Sequence, residues 1–185
     1  MSYICPAQGA FNDIAVLVLE RMVGPTDYIR SVCVYHAQPR YLYETVFKGY
    51  EVAGWGKTQS GRPTDYLQFL AMTGVPRETC QAAWSSKINL QSSQLCAEGE
   101  AGSQTCTGDS GGPLVTTVND RVFLVAIISF GDNNCDSSKP VIFTRVENYY
   151  EWLVDVMFDP ELLAGKAKSY GLSQNSYPCV HVTFW

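Results

Sequence analysis

The chain has 185 residues, of which 46% are hydrophobic and 17% charged, and it carries a formal net charge of −5. This composition is typical of a folded globular protein and excludes a disordered chain. No basic run interleaves with aromatic residues, which argues against a nucleic-acid partner. All apolar runs are shorter than the roughly 18 residues of a membrane-spanning helix, which argues against a membrane partner.

Short apolar or alternating runs, separated by glycine, asparagine, serine and proline, predict strands. These runs are residues 14–22, 50–56, 65–75, 112–118, 122–131 and 140–146. Helical spacing of apolar residues predicts a short helix over 77–88 and a longer one over 146–158, which Pro160 ends. Strands punctuated in this way favour an antiparallel barrel or sandwich.

The seven cysteines favour disulfide bonds, because their spacing contains no CxxC pair of the kind that binds zinc. We therefore expect a secreted, extracellular protein with no metal or other cofactor. The first residues, "MSYICPAQGAFND", lack the basic start, apolar stretch and cleavage site of a secretory signal. The odd number of cysteines leaves at least one free or joined to another chain.

The segment "TCTGDSGGPLV" holds the most chemically informative serine, Ser110. A serine hydroxyl becomes a nucleophile when a neighbouring base takes its proton, and the resulting oxyanion needs donors that already point at it. Gly108 allows a turn in which its own N–H and that of Ser110 face one point, while Gly111 and Gly112 leave room for a substrate. Taken alone, however, glycine beside serine is also a common turn.

Several segments together resemble the chymotrypsin-like serine protease family. They are "NDIAVLVL", "VAGWG", "GDSGGPLV", "AISFG", "PVIFTRV" and "YYEWL", in the family's order, from about residue 10 to 157. The resemblance implies an all-β double barrel with a C-terminal helix, the first barrel being incomplete in this chain. The implied parts are a first-barrel remnant and connection (1–46), a C-terminal barrel (47–146), the helix (147–158) and a tail (159–185).

The resemblance also implies catalytic roles. Ser110 matches the nucleophile, and Asp13 matches the buried acid that orients the catalytic histidine. The N–H groups of Gly108 and Ser110 match the oxyanion hole, which holds the negative oxygen of the intermediate. Asp109 matches the aspartate that pairs with the new amino terminus released when the zymogen is cleaved.

Three residues match the family's specificity pocket. Gln104 stands where trypsin-like members carry an aspartate, so a basic substrate side chain has no obvious partner. Val141 stands where many members have glycine and would narrow the pocket, whereas Gly131 leaves its entrance open. The resemblance thus implies an uncharged substrate side chain of small or medium size.

The family's disulfides match four of the cysteines. The implied bridges are Cys80 with Cys96 and Cys106 with Cys135. Cys33 matches the cysteine that in many zymogens joins the protease to its upstream segment, which makes a disulfide-linked upstream chain a possible partner. Cys5 and Cys179 have no family counterpart, and their pairing with each other is left open.

The catalytic histidine of the family lies in an Ala-His-Cys segment, which does not occur among the 185 residues. His36 and His181 stand in a connection and in the tail, where a histidine is more often a surface or packing residue. We expect this chain alone to be inactive. The resemblance implies a serine endopeptidase that hydrolyses protein or peptide substrates through an acyl-enzyme and binds protease inhibitors. The alternative is a non-catalytic homologue that acts as a binding or regulatory protein.

Overall fold

The computed structural model describes residues 2–4, 11–19, 23–34, 49–58, 61–84, 88–100, 105–132, 139–158 and 179–180, with the first and last ranges described by backbone alone. The strands are β1 Ser2–Ile4, β2 Ala15–Leu17, β3 Val32–Val34, β4 Tyr50–Gly54, β5 Gln68–Val75, β6 Gln94–Gly99, β7 Pro113–Val118, β8 Arg121–Phe130, β9 Val141–Arg145 and β10 Cys179–Val180. The helices are α1 Arg77–Trp84, a 3₁₀ helix Val146–Tyr149 and α2 Tyr150–Met157.

Six of these strands close into an antiparallel barrel. Around the barrel, β4 pairs with β5, β5 with β6, β6 with β9, β9 with β8, β8 with β7, and β7 again with β4. The β7–β8 hairpin turns through Asn119 and Asp120, whose φ angles are 49° and 59°. Both residue types tolerate this left-handed conformation, which a two-residue hairpin turn requires.

The barrel interior is filled by apolar side chains of its strands. Its buried members are Tyr50, Val52, Met72, Ala97, Leu114, Val125, Ala126, Ile128, Val141 and Phe143. Each large aliphatic or aromatic side chain buried in this way contributes about 1.5–3 kcal/mol relative to an exposed one. The packed interior therefore gives the surrounding loops a rigid support.

A second apolar cluster joins the outside of the barrel to the C-terminal helix. Strand β3 runs parallel to β8, and its Val32 and Val34 are buried with Leu124 and Val146. Leu153 of α2 packs against the same cluster. Strand β10 pairs antiparallel with the other edge of β3, and β1 pairs with β2 in a separate two-stranded sheet.

The prediction of an all-β barrel with a C-terminal helix is confirmed, although several boundaries differ. Within the described part of the run 14–22, which ends at residue 19, the strand is the short β2, and the first helix ends at Trp84. The second helix begins as a 3₁₀ helix before it continues as α2. Strands β1, β3, β6 and β10 were not predicted. The division into parts at residues 46, 146 and 158 stays a prediction.

Among the described residues, none of the helices is long and apolar enough to cross a membrane.

Candidate active site

Ser110 lies at the tip of a tight turn that leads into β7. The turn is closed by the Asp109 N–H, which donates to the Cys106 carbonyl at 3.0 Å, and by the Gly112 N–H, which donates to the Asp109 carbonyl at 2.9 Å. Gly108 has φ of 104° and Gly111 has φ of 83°, a backbone conformation that strongly favours glycine. Ser110 is consequently exposed, while both of its flanks are fixed.

The Asp109 carboxylate anchors this turn from beneath. Its Oδ1 accepts a hydrogen bond from the Gly56 N–H at 2.8 Å, and its Oδ2 accepts one from the Cys106 N–H at 2.9 Å. Hydrogen bonds to an ionised acceptor are stronger than those between neutral groups. The Lys57 N–H also donates to the Thr107 carbonyl at 3.0 Å, so the segment after β4 holds the turn along its length.

Two glycines of the "VAGWG" segment make room for that carboxylate. A Cβ atom at Gly54 would lie 2.1 Å from Asp109 Oδ1, and one at Gly56 would lie 2.4 Å from the same atom. Any larger residue at either position would have to displace the carboxylate or the backbone. The "VAGWG" segment therefore packs directly against the Asp109 carboxylate.

Two backbone donors of the turn remain available. The N–H groups of Gly108 and Ser110 donate to no group within the part of the chain that the structure describes, whereas those of Asp109, Gly111 and Gly112 are all paired. Unpaired N–H groups within two residues of an exposed serine hydroxyl are suited to bind a developing negative oxygen.

Asp13 lies beside Ser129 of β8 and Thr144 of β9 and is itself exposed, whereas the resemblance implied a buried acid. Its Oδ2 accepts a hydrogen bond from the Ser129 hydroxyl at 2.6 Å, and its backbone carbonyl accepts one from the Thr144 hydroxyl at 2.9 Å. Sequence reasoning missed both hydroxyl residues. The signal that could have identified Ser129 is its position as a polar residue within the apolar run of β8. In the structure this serine is only 9% exposed.

The residue before Asp13 is fixed as well. Asn12 has φ of 57°, and its Oδ1 accepts a hydrogen bond from the Tyr149 hydroxyl at 2.9 Å. Tyr149 ends the 3₁₀ helix and is buried. The C-terminal helical segment therefore fixes the loop that presents the aspartate.

Strand β8 brings the two predicted catalytic residues to one region. The Gly111 N–H donates to the Ile128 carbonyl, and the Ile128 N–H donates to the Gly112 carbonyl, both at 2.9 Å. The next residue of β8 is Ser129, which binds Asp13. The serine turn and the aspartate thus attach to consecutive residues of one strand.

Two of the three predicted pocket residues are neighbours. A Cβ atom at Gly131 would lie 3.6 Å from Cγ2 of Val141, which is fully buried. Beside them, Lys139 Nζ lies 3.1 Å from Asp132 Oδ2 and 5.1 Å from the ring centre of Trp84. Gln104 lies outside the described residues.

Two of the predicted disulfide positions are joined to each other. Cys80 of α1 and Cys96 of β6 form a disulfide with a Cα–Cα distance of 6.3 Å. Cys106 is also disulfide-bonded, and Cys135 lies outside the described residues. Cys33 is disulfide-bonded as well, and the predicted link from Cys33 to a separate upstream chain stays a prediction.

No group of three or more histidine, cysteine, aspartate or glutamate side chains that could hold a metal occurs within the described ranges. His36 and His181 lie outside those ranges.

Comparison with known proteins relates this geometry to a family. The family model described as Trypsin matches residues 5–153. The chain is 35% identical over 149 residues to CLIP domain-containing serine protease B15 of Anopheles gambiae, covering 80% of this chain and 41% of the relative. It is 37% identical to Phenoloxidase-activating factor 1 of Holotrichia diomphalia, covering 82% and 41%.

Spaetzle-processing enzyme of Drosophila melanogaster is 34% identical, with 77% of this chain and 37% of the relative covered. The chain thus spans about two-fifths of the length of these relatives. With most of its length matched by the family model and its barrel and serine turn in place, the chain belongs to the trypsin family, the chymotrypsin-like serine proteases.

Proposed function

We propose that the full-length protein is a secreted serine endopeptidase that cleaves peptide bonds through an acyl-enzyme, with Ser110 as its nucleophile. The observation that carries this proposal is the pair of available N–H groups, on Gly108 and Ser110, beside an exposed serine hydroxyl. Attack on a carbonyl carbon would place the negative oxygen between those donors. Such preorganised donors typically lower the barrier by about 3–4 kcal/mol each.

Asp13 is the proposed orienting acid. A carboxylate in this role binds the histidine that takes the serine proton, holding it in the required tautomer, and stabilises the charge that it then carries. The hydrogen bond from Ser129 restricts the Asp13 carboxylate to one orientation. We propose that the histidine comes from the family's Ala-His-Cys segment, which is not among these 185 residues.

Asp109 is the proposed switch of zymogen activation. Its carboxylate lies directly under the oxyanion-binding turn and accepts two backbone hydrogen bonds. A carboxylate can accept further donors, so a newly released amino group is a chemically suitable additional partner. Binding there would stiffen the turn that carries Gly108 and Ser110.

The proposed substrate is a protein with an uncharged residue of small or medium size before the cleaved bond. Val141 belongs to the buried barrel interior, and its side chain fills space beside Gly131 that a glycine at position 141 would leave open. Two of the relatives are named for activating or processing a protein, which supports limited cleavage of a protein substrate. The enzyme would in turn be a target for protein inhibitors that occupy the same cleft.

Labelling with a fluorophosphonate, which reacts with activated serines, tests the proposal. We expect the activated full-length protein to be labelled at Ser110 and the Ser110→Ala variant to remain unlabelled. Asp13→Asn should slow labelling of the full-length protein strongly, because the carboxylate would no longer orient the base.

The 185-residue chain alone should remain unlabelled. Labelling of Ser110 in the isolated chain would show that a base lies within these residues and would overturn our assignment of the histidine. If the correctly activated full-length protein stays unlabelled, the chain derives from a non-catalytic homologue that uses the cleft for binding.

A further inference from the structure

We propose that Cys33 and Cys179 form a disulfide that fastens the C-terminal segment of this chain to strand β3. This inference is independent of the proposed protease function. It assigns the β3 edge to the chain's own tail, which neither the family resemblance nor the related proteins suggested.

The backbone register places the two cysteines opposite each other. In the antiparallel pair of β10 with β3, Cys179 is the partner of Cys33 and Val180 is the partner of Val32. Directly opposed residues of antiparallel strands have Cα atoms about 4.5–5.5 Å apart. That distance lies within the range in which a disulfide forms without backbone movement.

The state of Cys33 supports the same pairing. Cys33 is disulfide-bonded and only 3% exposed, and its neighbours Val32 and Val34 are buried with it. Cys80 and Cys96 are bonded to each other and so cannot be its partner. Of the cysteines that remain, Cys179 is the one whose backbone lies opposite Cys33.

The length of the strands explains why a covalent bond is needed. Strand β10 has two residues and β3 has three. Pairing of such short strands is marginal without further support. The disulfide supplies it, because it keeps β10 at the edge of β3 when the hydrogen bonds between them open.

The bond has a defined chemistry. Two thiols lose two electrons and two protons as the S–S bond forms, and an acceptor disulfide of the oxidising compartment is reduced to two thiols. Because both sulfurs are then used within one chain, Cys33 has no thiol left for an upstream segment. An upstream segment released by cleavage is therefore not retained through Cys33.

A peptide map under non-reducing conditions tests the pairing. Free thiols of the denatured chain are first blocked with an alkylating agent, and the chain is then digested with a protease that cleaves after lysine and arginine. Cys33 falls in the peptide Ser31–Arg40, Cys179 in Ser169–Trp185 and Cys5 in Met1–Arg21, each of which contains a single cysteine. The three possible pairs therefore have different masses.

We expect Ser31–Arg40 to be found linked to Ser169–Trp185, with Cys5 alkylated or linked elsewhere. A link from Ser31–Arg40 to any other peptide, whether of this chain or from outside it, would overturn the proposal, as would alkylated Cys33. This experiment uses the unaltered protein, so it does not depend on whether a variant folds.

Matched variants test the consequence. Cys179→Ser should make Cys33 accessible to alkylation in the denatured, non-reduced chain, whereas Cys5→Ser should leave Cys33 protected. In the full-length protein, we expect the upstream segment to separate from the wild-type protease on a non-reducing gel after activation cleavage. Retention that requires Cys33 would contradict the inference.

Discussion

Replacing Gly56 with alanine should destabilise the chain through a contact with one specific carboxylate. The new Cβ atom would lie 2.4 Å from Asp109 Oδ1 and 2.5 Å from its Cγ, far inside normal contact distances. Gly56 has no left-handed backbone conformation that alanine would strain. The effect of Gly56→Ala therefore comes from displacement of the Asp109 carboxylate.

The magnitude follows from the hydrogen bonds that the carboxylate would lose. Asp109 accepts bonds of 2.8 Å from Gly56 and 2.9 Å from Cys106. A hydrogen bond to a charged group contributes about 1.5–3 kcal/mol, and the lower figure applies here because Asp109 is only half-buried. We expect Gly56→Ala to reduce the free energy of unfolding by about 2–4 kcal/mol.

Equilibrium unfolding in denaturant measures this loss. The matched control is Gly49→Ala, since a Cβ atom at Gly49 would have nothing within 4 Å and the residue also has no left-handed backbone. We expect the control to change the free energy of unfolding by less than about 1 kcal/mol. A similar loss in both variants would show a general intolerance of alanine near β4.

A double-mutant cycle with Asp109→Ala gives the decisive result. In that background the carboxylate is absent, so the methyl group at residue 56 no longer meets the three atoms that would lie nearest to it. We expect the effect of Gly56→Ala to shrink to less than half, with a coupling energy of about 2 kcal/mol. An equal effect in the presence and absence of the carboxylate would refute the argument that Gly56 serves Asp109.

Other contacts give further predictions. Ser129→Ala removes the hydroxyl that binds Asp13 and should lower kcat of the full-length activated protein about tenfold in steady-state kinetics, while a change confined to KM would contradict an orienting role. Replacing both Cys80 and Cys96 with alanine should lower the free energy of unfolding by about 3 kcal/mol, measured without reductant. Burial raises the pKa of Tyr50 above 10.0 in the folded state, so above pH 10 this tyrosine ionises more readily in the unfolded chain and the wild-type protein loses stability as the pH rises. The free energy of unfolding of Tyr50→Phe should therefore fall less steeply above pH 10 than that of the wild type. Equal slopes for the two proteins would contradict this argument.

Local sequence signals were sufficient for most of the barrel. Alternating apolar residues identified β5 and β7, whereas continuous apolar runs identified β8 and β9, in which consecutive residues are buried. Glycine and asparagine marked the turns between the strands. Strand β6 was missed. Its sequence, QLCAEG, buries Gln94 and Cys96 together with Ala97, so its burial follows from its neighbours β5 and β9 rather than from an alternating pattern.

The candidate site also has one part that the local sequence predicts and one part that it does not. The turn around Ser110 is a local feature, because its glycines and its internal hydrogen bonds lie within a few residues of one another. The anchors of Asp13 are not local. Ser129 is 116 residues away in the sequence and Thr144 is 131, and both lie in apolar runs where only the strand pattern was visible.

Strand β8 connects the turn around Ser110 with the distant residue Asp13. The glycines of the serine turn permit its backbone conformation, but catalysis by the turn depends on where an acid is held relative to it. Strand β8 fixes that relation, since Ile128 binds both glycines that follow Ser110 while Ser129 binds Asp13. A one-residue slip of β8 would turn Ser129 to the opposite face and release Asp13, and it would also break the hydrogen bonds of Ile128 to Gly111 and Gly112. The interior side chains that set the β8 register, including Ala126 and Ile128, therefore influence the site by fixing where Ser129 and Asp13 lie relative to Ser110.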